Sequence, residues 1–147
     1  MLLEMLSTLS AGLFAGAAIY INLVEHPARM ECGTILAVTE FAPSYYRATY
    51  LQAGLAAVGF LSAVAAWFMG ASLWWLIGGI ILGLVIPFTL IVIYPTNKKL
   101  LDSSLDKSSE MAAMLLTRWA RLHAVRSILG LISFLIFIIL LARNVTA

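Results

Sequence analysis

Apolar residues are concentrated in four stretches that alternate with polar segments along the chain. Their approximate bounds are residues 5–24, 50–69, 73–94 and 124–142. Each stretch is close to the roughly 20 residues that a helix needs to cross the hydrocarbon of a membrane. None shows the period-two alternation of a barrel strand, so the pattern predicts helices. The predicted fold is all-α, an integral membrane bundle of four transmembrane helices in which residues 1–147 form a single domain.

The polar segments define three connections of unequal length. Residues 70–72 alone separate the second and third stretches, which predicts a tight antiparallel hairpin. The other two connections, residues 25–45 and 95–121, are long and polar, and Gly33 and Pro43 are expected to interrupt any helix in the first of them. Four crossings place both long connections on the same side of the membrane.

The distribution of positive charge predicts the orientation of the bundle. Of the nine Lys and Arg residues, Arg143 alone belongs to the side of the chain termini. The others belong to the side of the long connections: Arg29, Arg47, Lys98, Lys99, Lys107, Arg118, Arg121 and Arg126. This bias predicts cytoplasmic connections and external termini in a bacterial inner membrane. Glu4 stands where a signal peptide would be positive, so the first stretch is expected to remain as a helix.

The composition supports a lipid environment and excludes several classes of protein. Hydrophobic residues make up 63% of the chain, charged residues 11%, and the mean hydropathy is +1.01. Soluble domains carry about 25% charged residues because their surface faces water. The net charge of +2 is too small to indicate a nucleic-acid-binding protein. Cys32 is the only cysteine, which excludes an intrachain disulfide.

Polar residues recur at helical spacing where the helices approach the long connections. On the first helix, one face carries Asn22, Glu25, His26 and Arg29. A second face on the fourth helix carries Trp119, His123 and Arg126, and one on the second helix carries Tyr45, Thr49 and Gln52. A bundle turns such faces inward. The residues expected near one depth are Glu25, His26, Gln52, Asn97, His123 and Arg126.

This convergence gives two structural predictions. Ionisable side chains at membrane depth are usually paired, and they are candidates for a functional site. We therefore expect His26 and His123, the only two histidines, to face one interior cavity. Asn97 and Arg126 should lie in its walls. Arg126, the charge deepest in an apolar run, should pair with the carboxylate of Glu25.

Several of these residues also have a plainer explanation. Glu25 and Arg29 have the i, i+4 spacing of a surface ion pair. Trp119 could be an interfacial anchor, and Tyr45 could belong to an aromatic girdle. The two histidines lie where their helices meet the membrane surface, and for them a functional role is favoured.

Three segments resemble a known family: GLFAGAAIYINLVEHPAR at residues 12–29, YPTNKKLLD at residues 94–102 and WARLHAVRSILG at residues 119–130. They combine a Gly-rich first helix ending in His-Pro-Ala, a Pro-Thr-Asn run after the third helix, and Trp-x3-His-x2-Arg opening the fourth. In this order and spacing, and over nearly its whole length, the chain resembles the small four-helix membrane family of largely unknown function that includes the fungal anthrone oxygenases.

The resemblance implies functional roles for His26, Asn97, Trp119, His123 and Arg126. It also implies oxygenation of a phenolic polycycle without a metal or a flavin, so no cofactor is predicted. Within a family the fold transfers more readily than the reaction.

The first functional hypothesis is an oxidoreductase acting on a lipid-soluble aromatic or quinone-like molecule. His26 or His123 would abstract a proton from an activated C–H group or a phenol, and the carbanion would react directly with oxygen. Arg126 would stabilise the developing oxyanion. The residues expected to orient or bind the substrate are Asn97, Trp119, Tyr45 and Gln52, with Glu25 setting a histidine tautomer.

Two other classes of function fit the same residues. His26 and His123 could ligate a haem iron axially. Alternatively, Glu25, His26 and His123 could hold a transition metal, with Asn97 as a weak fourth ligand. The chain could also be a non-enzymatic scaffold, assembly or transport subunit. Transport would require a homo-oligomer, because four helices offer little room for a translocation path. The expected partners are membrane lipid and a lipid-soluble small molecule.

Overall fold

The structure is a computed structural model that describes residues 1–146, with side chains described up to Arg143. Ala147, the last residue of the predicted domain, lies outside the described residues. The described chain contains no strand and folds into four helical spans. We name them α1 (Leu2–Glu31), α2 (Thr34–Phe68), α3 (Leu73–Leu100) and α4 (Glu110–Thr146). All four are long and apolar enough to cross a membrane, which confirms the predicted all-α bundle of a membrane protein.

The connection between α1 and α2 is far shorter than predicted. Cys32 and Gly33 alone join the two spans, so the predicted polar connection of residues 25–45 is wrong. Gly33 has a φ of +90°, a left-handed conformation that other residues rarely adopt, and this permits the tight reversal. Pro43 lies inside α2 and does not end it. The helices therefore extend beyond the apolar stretches and carry their polar residues on regular helical faces.

The connection between α3 and α4, residues 101–109, is also shorter than predicted and is built from two local turns. Asp102 accepts hydrogen bonds from the Ser104 amide at 2.9 Å and from its hydroxyl at 2.7 Å. Asp106 accepts bonds from the Ser108 hydroxyl at 2.6 Å and from its amide at 2.9 Å. These bonds favour the ionised form and lower the pKa of both carboxyl groups.

The predicted hairpin between α2 and α3 is confirmed. Residues 69–72 join the two spans, and Gly70 has a φ of +97° at the reversal. This hairpin lies at the same end of the bundle as the chain termini, which we call the terminal end. Gly33 and residues 101–109 lie at the opposite end, which we call the connection end.

Two π-helical segments, Ile21–Glu25 and Thr89–Ile93, interrupt α1 and α3 toward the connection end. In both spans the second residue after the π segment is a proline, Pro27 or Pro95. A π segment shifts the hydrogen-bond register, so a backbone amide loses its usual acceptor at this point. Proline has no amide hydrogen, and it is tolerated where that hydrogen would lack a partner. This accommodates Pro27 and Pro95 within their spans.

The buried side chains form two clusters, one in each half of the bundle. In the terminal half, Phe14 lies in the cluster with Trp75 and Phe137, whose rings stack with centroids 5.1 Å apart. In the connection half, Phe41 packs edge-on against Trp119 with centroids 5.3 Å apart. The candidate functional residues surround this second cluster.

Candidate active site

A cavity of about 110 Å³ lies in the connection half and is lined by residues from all four spans. The candidate residues in its lining are Tyr45, Gln52, Asn97, Trp119, His123 and Arg126. Two candidates, Glu25 and His26, are not in the lining. The structure therefore brings the candidate residues of α2, α3 and α4 together and leaves both α1 candidates outside.

His123 is 2% exposed, and its hydrogen bonds define its chemical form. Its Nδ1 lies 2.8 Å from Oδ1 of Asn22, an oxygen that also accepts a bond from the Ser127 hydroxyl at 2.6 Å. The Asn22 amide nitrogen donates to the Ala120 carbonyl at 3.1 Å, which fixes the orientation of the amide. Because Asn22 presents its oxygen to the ring, Nδ1 of His123 must carry the hydrogen. Nε2 of the neutral imidazole then has the free lone pair that can accept a proton.

The Trp119 ring contacts both histidines. Its ring stacks on His123 with centroids 4.8 Å apart and lies 5.4 Å from the ring of His26. His26 is buried outside the cavity lining, and its Nδ1 has no hydrogen-bond partner. The expectation that both histidines face one cavity is therefore wrong for His26, which packs against Trp119 outside the cavity lining.

Arg126 does not pair with Glu25, so that prediction is also wrong. Its Nη2 donates to Oε1 of Gln52 at 2.8 Å, and its guanidinium lies 5.6 Å from the centroid of the Phe14 ring. Its Nε is buried without a partner. Among the ion pairs of the described residues, none joins Arg126 to a carboxylate. The cavity wall thus contains a cation without a counter-ion, which is costly in a protein interior unless a ligand supplies one.

Glu25 instead pairs with Arg29, one turn away on α1, and accepts a hydrogen bond from Ser44 at 2.7 Å. Arg29 also lies 2.8 Å from Glu40, and its side chain is only 4% exposed. The Arg29 side chain of this pair is therefore buried, whereas the i, i+4 spacing had also allowed an ion pair exposed at the surface. Arg29 lies one turn from Glu25 on the same helix, so the two can pair without any contact between helices. This explains why Arg29, and not the predicted Arg126, is the partner of Glu25. Asn22, and not Glu25, sets the tautomer of a histidine.

Asn97 contributes the second polar atom without a partner in the cavity wall. It is 1% exposed, and its Oδ1 has no hydrogen-bond partner. Leaving a buried acceptor unsatisfied costs about 1–3 kcal/mol, so a hydrogen bond donated to this oxygen by a ligand would be favourable. Trp119 and Tyr45, which stacks on Phe41 with centroids 5.8 Å apart, supply the aromatic part of the lining.

The three-residue ligand set considered for a metal does not assemble among the described residues. The described residues contain no group of three or more His, Cys, Asp or Glu side chains that could hold a metal ion. Glu25 is engaged by Arg29 and by the Ser44 hydroxyl. Axial ligation of a haem by His26 and His123 stays a prediction.

This combination of a buried histidine, an unpaired arginine and aromatic walls is accompanied by a family match. Residues 41–136, about two thirds of the chain, match the anthrone oxygenase family. The chain belongs to the anthrone oxygenase family. No curated protein and no solved structure matches it. The matched region contains all six candidate residues in the cavity lining, whereas Glu25 and His26 precede it.

Sequence reasoning did not include Asn22 and Ser127 among the site residues. Asn22 was recognised on the same face as His26, four residues away, but its partner is His123 on another span. Ser127 lies four residues after His123, one turn along α4. Each of these polar residues lies one helical turn from a histidine within an apolar stretch, and this position could have identified them as site residues.

Proposed function

We propose that the protein is a membrane-embedded oxygenase that oxidises a lipid-soluble aromatic or quinone-like molecule without a metal or a flavin. Membership of the anthrone oxygenase family supports the reaction class. The observation that carries the proposal is a cavity shared by His123, which has a free Nε2, and Arg126, which has no carboxylate partner. A proton acceptor beside a fixed cation suits the removal of a proton from an activated C–H group.

In the proposed reaction, Nε2 of His123 takes a proton from an activated methylene group of the substrate. The electron pair of the broken C–H bond is delocalised onto a substrate oxygen, and Arg126 stabilises the resulting oxyanion. The carbanion carbon passes electrons to dioxygen and forms a C–O bond, and the peroxide takes the proton back from the imidazolium. Loss of the second methylene hydrogen with cleavage of the O–O bond leaves a carbonyl and water. One methylene and one dioxygen thus give one carbonyl and one water, so dioxygen is the oxidant.

The remaining residues of the site position these groups. Asn22 holds His123 in the tautomer that leaves Nε2 free, and Gln52 holds the guanidinium of Arg126 at the cavity wall. Oδ1 of Asn97 accepts a hydrogen bond from a hydroxyl of the substrate. Trp119, which packs on His123, provides an aromatic surface for the substrate ring.

The test is oxygen uptake by the purified chain in lipid vesicles supplied with an anthrone or a related hydroxylated polycycle. We expect uptake with formation of the corresponding quinone, and we expect His123→Gln to lower the rate by about 10²- to 10⁴-fold, the contribution of a general base. Equal unfolding temperatures of the two proteins would show that the fold is intact. Absence of uptake by the wild-type chain across anthrones, naphthols and quinols would remove the proposal.

The proposed location is a bacterial inner membrane with the connection end in the cytoplasm and both termini outside, supported by the bias of Lys and Arg toward the connection end. Cys32 is exposed in the α1–α2 connection and is the only cysteine. A membrane-impermeant thiol reagent should therefore leave it unlabelled in intact cells and label it once the membrane is opened. The control, Cys32→Ser with Ala71→Cys in the opposite hairpin, should be labelled in intact cells. The reverse pattern would overturn the orientation.

A further inference from the structure

An open groove runs along the outside of the bundle between α1 and α2, toward the connection end. We call it the α1–α2 groove. Its α1 wall includes Gly16, Ala17, Tyr20 and Glu25. A Cβ added to Gly16 would meet no atom within 4 Å, so no side chain from another span fills the groove at this level. The groove is therefore open to the molecules that surround the bundle.

The α2 wall of the groove presents a row of four different side chains, Glu40, Ser44, Arg47 and Leu51. Their spacings of four, three and four residues place them on one face of the helix. At 1.5 Å per residue the row extends about 16 Å along the span. Along this face the groove changes from a carboxylate to a hydroxyl, then to a cation and finally to an apolar side chain.

This change in polarity follows the depth of the membrane. The apolar stretch of α1 ends near residue 24 and that of α2 begins near residue 50. Glu25, Glu40 and Arg47 therefore lie beyond the hydrocarbon, at the level of the lipid headgroups. Tyr20 and Leu51 lie inside it and are 55% and 59% exposed. The groove thus joins a charged end among the headgroups to an apolar end in the hydrocarbon.

The charges at the headgroup end are not balanced within the groove. Glu25 and Glu40 share a single cation, Arg29, and the Glu40 side chain is 40% exposed. Among the ion pairs of the described residues, neither carboxylate has a second cation, and none includes Arg47. Arg47 donates through Nη1 to the Pro43 carbonyl at 3.2 Å, a neutral acceptor. A ligand that carries both a cation and an anion would complement the acidic pair and Arg47 together.

We propose that the α1–α2 groove binds a phospholipid whose headgroup carries an ammonium group, as in phosphatidylethanolamine. The phosphate lies against Arg47, the ammonium lies farther out against Glu40, and an acyl chain follows Ala17 and Leu51. From the membrane centre outward, such a lipid presents acyl chain, phosphate and ammonium, which is the order of Leu51, Arg47 and Glu40 along α2. A lipid without the ammonium leaves the acidic pair uncompensated. This site does not depend on the proposed oxygenase reaction.

The headgroup preference is tested by native mass spectrometry of the full chain released from detergent micelles. The micelles contain phosphatidylethanolamine or phosphatidylglycerol with the same acyl chains. We expect one phosphatidylethanolamine per chain, bound roughly fivefold more tightly than phosphatidylglycerol, which is the advantage of one partly exposed ion pair. Glu40→Gln should remove this preference and leave phosphatidylglycerol binding unchanged. Glu110→Gln, at an exposed position of the connection end outside the groove, should retain it.

Two further variants test the other parts of the site. Arg47→Gln should weaken both lipids by roughly fivefold, because both contain the phosphate, and Arg121→Gln, exposed outside the groove, should weaken neither. Ala17→Trp fills the apolar part of the groove and should weaken both lipids by roughly tenfold through steric exclusion. Leu23→Trp, on α1 at an exposed position outside the lining, is its matched control. These variants keep the test decisive if Glu40→Gln, which loses a partner of Arg29, does not fold.

Equal binding of the two lipids by the wild-type chain would overturn the proposal. Unchanged binding in Ala17→Trp or in Arg47→Gln, or the same losses in the control variants, would also overturn it. A dimer of the wild-type chain that dissociates in Ala17→Trp would place a second copy in the groove and exclude the lipid.

Discussion

The terminal half of the bundle is closely packed, whereas the connection half contains a cavity and buried polar atoms without partners. In the terminal half, small residues allow the helices to approach closely. A Cβ added to Gly78 would lie 2.5 Å from the Phe137 ring, and one added to Gly79 would lie 2.8 Å from the Cβ of Ala63. Ser133 satisfies its hydroxyl by donating to the Gly78 carbonyl at 2.8 Å. In membranes such close contact, rather than a hydrophobic driving force, is what holds helices together.

The connection half leaves space and unsatisfied polar atoms. It contains the cavity, both π segments, and buried atoms of His26, Asn97 and Arg126 that lack hydrogen-bond partners. Each such atom destabilises the folded state, and an arrangement of this kind is characteristic of functional sites. We infer that close packing in the terminal half stabilises the fold and compensates for the unsatisfied polar atoms of the connection half.

Among substitutions that distinguish the two halves, the largest effect on oxygen uptake is expected at Arg126. Arg126→Gln removes the cation that stabilises the oxyanion, and we expect oxygen uptake to fall by about 10²- to 10³-fold. The unfolding temperature should be unchanged or higher, because the variant no longer buries a charge without a counter-ion. Oxygen uptake and thermal unfolding in the same detergent measure both quantities. Loss of stability together with activity would mean that Arg126 stabilises the fold, and the contrast between the halves would fail.

A substitution in the terminal half should have the opposite profile. Gly78→Leu forces a side chain against Phe137, and we expect it to lower the free energy of unfolding by about 1–3 kcal/mol, as overpacking does in other cores. The oxygen uptake of each folded molecule should stay the same. Gly54→Leu is the matched control, since a Cβ at this exposed glycine meets no atom within 4 Å. Destabilisation by Gly54→Leu as large as that by Gly78→Leu would show that close packing is not the cause.

The smallest effect is expected at His26, although sequence reasoning ranked it with His123. His26→Phe keeps an aromatic ring against Trp119 and removes a buried nitrogen without a partner. We expect oxygen uptake within about twofold of wild type and an unfolding temperature that is unchanged or slightly raised, because a lost unsatisfied polar atom is not destabilising. A fall in activity comparable to that of His123→Gln would place His26 in the reaction and contradict the assignment of a single histidine.

The sequence predicted the four helices and their common polar end because helical spans and stripes follow from local periodicity. The sequence also predicted the hairpin after Phe68, because only a few residues connect the second and third apolar stretches. The sequence did not predict that α2 begins at Thr34, because Pro43 was expected to interrupt a helix there and instead lies inside α2.

The pairing of side chains across the bundle was less predictable than their depth. Helical spacing placed Glu25 and Arg126 near one level, but it could not show that Arg29 engages Glu25 first. Nor could it show that His26 lies outside the cavity lining, since the rotation of each span about its axis is set by packing with the other spans.

The protonation of His123 tests most directly whether the connection half holds an active site. The chain has two histidines, so nitrogen NMR in lipid vesicles observes two imidazoles, and His26→Phe assigns them. We predict a neutral His123 with the hydrogen on Nδ1, bonded to Asn22, and an Nε2 with a free lone pair. Asn22→Ala should abolish this preference. A wild-type His123 with its hydrogen on Nε2 would contradict the assignment, because no lone pair on that atom could then take the substrate proton.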